Sequence, residues 1–248
     1  MIVAIIQARM GSTRLQGKVL MDVNGVPLLK ILMRRVALSK MLDRIVIATS
    51  TQANDDPIAK FCAQEKIEVF RGSESDVLGR YYDCATAIGA TTIVRLTGDC
   101  PFIDPNIIDA VITMFKNEAL DYAANTVPPQ TSTFPSGSDV EVFTYAALAR
   151  AHREVKDPSY REHVTFYFWR DLAREIKTGQ FRNAEDWSKY RLSVDYPEDL
   201  EVTRRIAAAL CMDGAVPTLP EIIKYLELHP EVYALNSMYY FGQGWQKK

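Results

Sequence analysis

The chain has 248 residues, 48% hydrophobic and 24% charged, with a formal net charge of -2, which is enough for one large folded α/β domain and excludes a disordered chain. That balance leaves no global basic field for nucleic acid, no apolar run reaches membrane-spanning length, and the chain opens on a strand-like run rather than a secretion leader. Cys62, Cys84, Cys100 and Cys211 are scattered without a CxxC pair, which argues against a zinc site or a disulfide framework and fits a reducing cytoplasm.

Residues 1–7 predict a buried strand, an apolar run rich in β-branched side chains. It ends abruptly in a polar loop with two glycines (Gly11, Gly17), two hydroxyls (Ser12, Thr13) and three cations (Arg9, Arg14, Lys18). Such a loop at a strand end is suited to holding phosphates, because backbone N–H groups and hydroxyls point at the anion while the cations neutralise it. A solvated basic surface loop is the alternative.

A turn at Asn24-Gly25 and a helix from Pro27 to about residue 39 follow. Then come a buried strand at 44–50, a helix from about 54–57 to 65, and a strand at 67–70. A helix capped by Ser75 runs to 87, a strand covers 92–96, and a helix capped by Asp104 covers 105–117. Strand and helix alternate with short connections, which predicts a three-layer α/β fold with a mainly parallel central sheet. Ligands of such sheets sit beyond the C-terminal strand ends, where the opening loop and TGDCP both lie.

The alternation then changes. A short strand is expected at 121–126, a loop or hairpin at 127–138, and a strand at 139–143. Helices follow at 144–155 and 159–170, then a strand at 189–194. Pro197 opens a long helix to about 210, a last helix covers 218–228, and an aromatic-rich tail closes the chain at 229–248. There are no repeats and no interdomain linker, so residues 1–248 are expected to form one domain.

Asp99 and Asp195 sit at the ends of two predicted strands. If those strands are neighbours, both carboxylates reach the rim that holds the phosphate loop. Mg²⁺ is commonly held by one or two carboxylates plus substrate phosphates. The alternative for each aspartate is local capping, of the turn before Pro101 or of the helix opening at Pro197.

Three motifs then carry a resemblance: AxxxSTRLxGK at residues 8–18, GDCPFIDP at 98–105 and VDYPEDLE at 194–201. Together they resemble the cytidylyltransferases that make CMP-activated sugar acids, above all the SpsF branch of spore-coat polysaccharide synthesis, related to CMP-Kdo synthetase. SGSDVEVF (136–143) and REHVTFY (161–167) are similar to stretches of that branch. The resemblance implies a nucleotide-diphospho-sugar transferase (GT-A, Rossmann-like) fold and a homodimer, with about 120–170 serving acceptor binding and dimerisation. It implies that Gln7, Ala8, Arg9, Gly11, Ser12, Arg14 and Lys18 cradle CTP, with Arg80 a further nucleotide contact. Asp99 and Asp195 would hold Mg²⁺, and with Lys18 and Arg14 would carry catalysis. Asp139, Glu141, Arg161, Glu162 and His163 are acceptor-pocket candidates, Arg161 as partner for an acceptor carboxylate.

Two positions depart from the pattern. Gln16 stands where the family usually has proline, and Thr97 stands where CMP-Kdo synthetases tend to carry glutamine. His163 is either an acceptor ligand or a helix-face residue packed on Phe166 and Tyr167. Cys100 has no identifiable base beside it, so no nucleophile is expected there. Rival expectations are another nucleotidyltransferase of this fold, a GT-A glycosyltransferase and a non-catalytic nucleotide-binding homologue.

Overall fold

The structure is a computed structural model that describes residues 1–170 and 175–240. Its opening half contains β1 (Ile2–Gln7), β2 (Asp22–Val23), β3 (Val26–Pro27), α1 (Leu28–Val36), β4 (Arg44–Ser50) and α2 (Asp56–Glu65). It continues with β5 (Glu68–Gly72), α3 (Val77–Ile88), β6 (Thr92–Thr97) and α4 (Pro105–Asn117). Then come β7 (Tyr122–Ala124), β8 (Glu141–Thr144), α5 (Tyr145–Glu154), α6 (Pro158–His163), α7 (Phe166–Trp169) and β9 (Thr178–Gln180). The chain finishes with α8 (Pro197–Leu210), α9 (Leu219–Leu228) and α10 (Pro230–Tyr233).

The main sheet has the order β5-β4-β1-β6-β8-β7-β9. β5, β4, β1 and β6 run parallel, β8 is antiparallel to both β6 and β7, and β9 is parallel to β7. β8 is therefore the reversed strand of an otherwise parallel sheet, and the expected three-layer α/β architecture is present. β1 lies in the parallel half with Val3 to Ile6 wholly buried, as a strand covered on both faces requires. Val3 and Ile5 pack into one layer with Tyr81 of α3 and Leu148 of α5. Ala4 and Ile6 pack into the other with Leu29 and Leu32 of α1 and Ile112 of α4. A third apolar cluster, including Phe102, Leu192, Val194, Leu200 and Ile222, fastens α8 and α9 beside the sheet. Among the described residues no helix is long and apolar enough to cross a membrane.

Several expected boundaries shift for local reasons. Asp76, not Ser75, caps α3, because its carboxylate accepts from Gly79 N at 2.8 Å. Pro27 is the N-cap of α1 rather than its first residue. The strand expected from 139 begins at Glu141. The single helix expected over 159–170 is two short ones, α6 and α7, broken at Val164 with φ 56 and ψ -59. The segment 189–194 makes no ladder; Arg191 forms an isolated bridge to Ser136, and the apolar pattern there reflects packing of Leu192 and Val194 in the third cluster. β9 was not expected, since Thr-Gly-Gln has no strand periodicity and gains its pairing from β7 alone. Positions 241–248 of the aromatic tail lie outside the described residues.

Candidate active site

β1 and β6 are neighbours in register, with Gln7 opposite Thr97, so the loops that follow them leave the sheet side by side. Gly98 N donates to Gln7 O at 2.8 Å. A Cβ at Gly98 would meet Gln7 O at 3.0 Å and Ala8 Cβ at 3.1 Å. The opening loop folds around Met10 O, which accepts from Ser12 N at 2.9 Å and Gly17 N at 3.0 Å. Gly17, at φ +71, supplies the left-handed residue that turns the loop into the short 3-10 segment Lys18–Leu20.

Lys18 is 7% exposed. Its Nζ lies 2.5 Å from Asp99 Oδ2 and 2.8 Å from Asp195 Oδ1. Arg14 Nη2 joins Asp195 Oδ1 at 2.6 Å, and Arg191 Nη2 joins Asp195 Oδ2 at 2.8 Å. Arg191 also pairs with Asp199, at 2.8 Å from Nε to Oδ1. Asp199 Oδ2 accepts from the backbone N–H groups of Asp195 at 2.9 Å and Tyr196 at 3.0 Å. The helix-capping alternative for Asp195 is thereby taken by others, since Tyr196 and Asp199 cap α8; the turn before Pro101 is closed by Cys100 N donating to Thr97 O at 3.2 Å.

Burial opposes the charge on Lys18, yet Asp99 and Asp195 outweigh it and raise its pKa. Burial likewise opposes the ionised forms of both carboxylates, and the Lys18 ammonium overcomes it, holding each below the usual range. The cluster is therefore ionised throughout the neutral range. Among the described residues no group of three or more His, Cys, Asp or Glu side chains could hold a metal. Two carboxylates converging at the glycine- and cation-rich loop after β1 are nonetheless a donor set of the kind Mg²⁺ uses when substrate oxygens complete its shell.

Two cavities meet at this cluster. The larger, ≈ 430 Å³, is lined by Gln7, Ala8, Arg9, Ser12, Arg14, Lys18 and Arg80 of the sequence candidates, and by Glu162. The smaller, ≈ 210 Å³, is lined by Asp139, Glu141 and His163, with hydroxyls from Ser136, Thr165 and Ser193. Arg14, Arg95, Thr97, Asp99, His163 and Asp195 line both. Gly11 lines neither, and a Cβ there would come no nearer than 3.7 Å to Asn54. Gln16 is exposed, so the lost proline removes no buried contact. His163 combines its two expected positions: its ring stacks on Phe166, with centroids 4.3 Å apart, and still lines the cavities.

Arg161 does not take its expected place. It lines neither cavity, and its guanidinium grips the Asp76 carboxylate at 2.9 and 2.6 Å and donates to Val155 O at 2.8 Å. Glu162 falls on the side of the larger cavity, 3.8 Å from Arg9 Nη2, rather than on the acceptor wall. Asp139 accepts from Thr126 Oγ1 and Gly137 N, both at 2.7 Å. Burial pushes its pKa up to about 6, with Glu141 and Asp99 adding to the rise. Burial also pushes the Cys100 thiol well up, consistent with an inert side chain. Arg95 and Arg191 join the site although both stand in segments expected to be strands. An arginine amid buried apolar neighbours in TIVRL was the available signal.

A family model described as cytidylyltransferase matches residues 3–229. The spore coat polysaccharide biosynthesis protein SpsF of Bacillus subtilis is 38% identical, over 93% of this chain and 95% of its own. A 3-deoxy-manno-octulosonate cytidylyltransferase of Mesorhizobium japonicum is 30% identical, over 82% of this chain and 97% of its own. The solved structure of a cytidylyltransferase from Leptospira borgpetersenii superposes with a TM-score of 0.87 at 31% identity, covering 94% of this chain and 96% of that one.

Proposed function

The chain belongs to the cytidylyltransferase family, and on that premise we propose that it activates a sugar acid, Kdo-like or nonulosonic, with CTP. The products are a CMP-sugar and pyrophosphate, made for surface polysaccharide synthesis. The observation that carries this reading is the position of Lys18, which lines the larger cavity and is held between Asp99 and Asp195, the two carboxylates that line both cavities. One cavity then takes CTP, the other the acceptor, and the reacting phosphate lies between them.

In this reaction the anomeric hydroxyl of the acceptor attacks the α-phosphorus of CTP. The new O–P bond forms as the bond to the bridging oxygen breaks, pyrophosphate leaves in line, and the hydroxyl proton passes to solvent water. Arg14 and Lys18 face the leaving pyrophosphate and offset its growing charge. The Gln7–Ala8 backbone and Arg80 line the side open to the cytidine; Arg80 Nε is buried without a hydrogen-bond partner there, a donor set for a ligand oxygen. Asp99 and Asp195 would hold Mg²⁺. When bound, the ion neutralises charge on the reacting phosphate and acidifies a ligated hydroxyl. Dimerisation through the region of about 120–170 belongs to the same reading. So does a cytoplasmic setting, where CTP is made and the four free thiols stay reduced.

The test is pyrophosphate release with CTP, Mg²⁺ and a panel of 2-keto sugar acids. At least one acid should give turnover with CTP and not with ATP, GTP or UTP. Asp99→Asn should lower the rate by about a thousandfold while the variant still folds, with a melting temperature lowered by the lost pairing to Lys18. Full activity of that variant would remove Asp99 from the reaction, and turnover with another triphosphate alone would remove CTP.

A further inference from the structure

Arg95 is the fourth residue of β6, and its strand neighbours Ile93, Val94 and Leu96 are wholly buried. A cation at such a position requires a reason, since a buried charge is tolerated only with partners. Its register partner on β8 is Glu141, and Arg95 Nη1 donates to Glu141 Oε1. Tyr122 Oη donates to the other Glu141 oxygen at 2.5 Å. The carboxylate is thus held on both oxygens, and it anchors the Nη1 end of the guanidinium.

That pair uses only part of the arginine. A guanidinium carries five N–H donors. No further hydrogen bond to this one is found among the described residues, and Nε is buried without a partner. The side chain, 12% exposed, lines both cavities. Glu141, which orients it, lines the smaller cavity and not the larger. The other arginines lining the smaller cavity, Arg14 and Arg191, are committed to Asp195, and Arg161, expected to meet the acid, is committed to Asp76. Hydroxyls of Ser136, Thr165 and Ser193 surround the same space, as a polyhydroxylated ligand would need.

We propose that Arg95 is the specificity-determining cation of the acceptor cavity, and that the guanidinium N–H groups not taken by Glu141 receive the acceptor's carboxylate. This rests on the sugar-acid reading above. Glu141 acts through Arg95 as a positioning residue. It turns the open N–H groups toward the acceptor and keeps them there before substrate arrives, so little side-chain freedom is lost on binding.

The test compares wild type with the double variant Arg95→Gln/Glu141→Gln, which removes both charges and leaves no carboxylate buried alone. The substrates are an acid of the panel that wild type turns over and the C1 primary amide of the same sugar. The double variant should raise KM for the acid by about 100-fold and hold KM for CTP within about threefold, because the lost contact is to the acceptor alone. The wild-type preference for acid over amide should fall to about unity, since an amide lacks the charge that the arginine selects. A raised KM for CTP with an unchanged KM for the acid would move Arg95 to the nucleotide phosphates and overturn the proposal. An equal loss for acid and amide would reduce Arg95 to a structural role and overturn it too. CTP should still raise the melting temperature of the variant, which verifies folding. If the double variant does not fold, Arg95→Lys keeps the charge and removes the fork. It should raise KM for the acid by about tenfold, and no change would overturn the proposal. Wild type that binds CTP yet turns over no acid would refute the sugar-acid reading itself, a result distinct from an acid-active enzyme indifferent to Arg95.

Discussion

Val194 donates its backbone N–H to the carbonyl oxygen of Asp99 at 2.8 Å. This bond ties the loop after β6 to the segment before α8, main chain to main chain. The separation of the Asp99 and Asp195 carboxylates is therefore set by the backbone, and Lys18 fills a gap that already exists.

Lys18→Met should expose that arrangement. Removing one partner of a buried ion pair costs about 3–5 kcal/mol; with the Asp99 side chain 26% exposed, water reduces this to about 2 kcal/mol. Urea unfolding measures the loss. Added MgCl₂ should raise the melting temperature of the variant more than that of wild type, because no ammonium then competes for the carboxylate oxygens. Identical responses of the two proteins to MgCl₂ would remove the carboxylate pair as a cation site.

Gly137 is at φ +93, and a Cβ there would lie 2.1 Å from Ser193 N and 2.4 Å from Leu192 C. Both obstacles are backbone, so nothing flexible can yield. Gly137→Ala should destabilise by more than about 3 kcal/mol through combined strain and overpacking. Gly25→Ala is the control. Gly25 has φ +87 with open space around it, so it should cost only about 1 kcal/mol. Equal melting temperatures for the two variants would refute the close approach.

Arg161→Ala should act on stability and not on substrate. Its partner Asp76 caps α3 and has a 34% exposed side chain, so the expected loss is about 1 kcal/mol. KM values for CTP and for the acceptor should stay at wild-type values. A tenfold rise in acceptor KM with unchanged stability would return Arg161 to the acceptor site.

The carboxylates divide the pH dependence of stability into two windows. Burial raises Asp139 from 3.8 to about 6, so between these values the folded chain binds the extra proton. Stability therefore declines as pH rises through that window, by on the order of 1–2 kcal/mol once access from the cavity is allowed for. Asp139→Asn should flatten the slope there. Asp99 and Asp195 are shifted down, so their contribution is present above the unfolded value near 4 and is lost as pH falls below it. Guanidinium titrations from pH 3 to 8 read both windows. A slope unchanged by Asp139→Asn would assign the upper window to another group.

The parallel half was legible because its strands are buried on both faces: RIVIATS predicts β4 to the residue, and Asp104-Pro105 marks the start of α4. The second half was less so. Thr165 to Trp169 reads as a helical continuation of 159–164, but the reversal at Val164 depends on packing that no local propensity records. The phosphate loop was readable as crowded charge beside glycine. Arg191 was not, because its meaning lies in Asp195 and Asp199, and it was counted as part of a strand. Arg161 shows the converse error: a cation in a suggestive motif was already engaged by Asp76, a residue remote in sequence.

Asn236 donates to Asp199 Oδ1 at 2.9 Å and to Arg191 O at 3.2 Å. Asp199 in turn holds the backbone N–H of Asp195, the partner of Arg14 and Lys18. During synthesis the N-terminal residues leave the ribosome first. The basic loop emerges first, and β1, β4 and β6 can pair around it while its counter-charge near residue 195 is still unmade. Until residues 195–236 have cleared the exit tunnel, Lys18 can meet only Asp99 of its two carboxylates, and Arg14 lacks its partner Asp195. The Asp195 side of the cluster is thus the last part of it that this polypeptide completes, and a chain released early would carry the basic loop without the acidic frame that positions it.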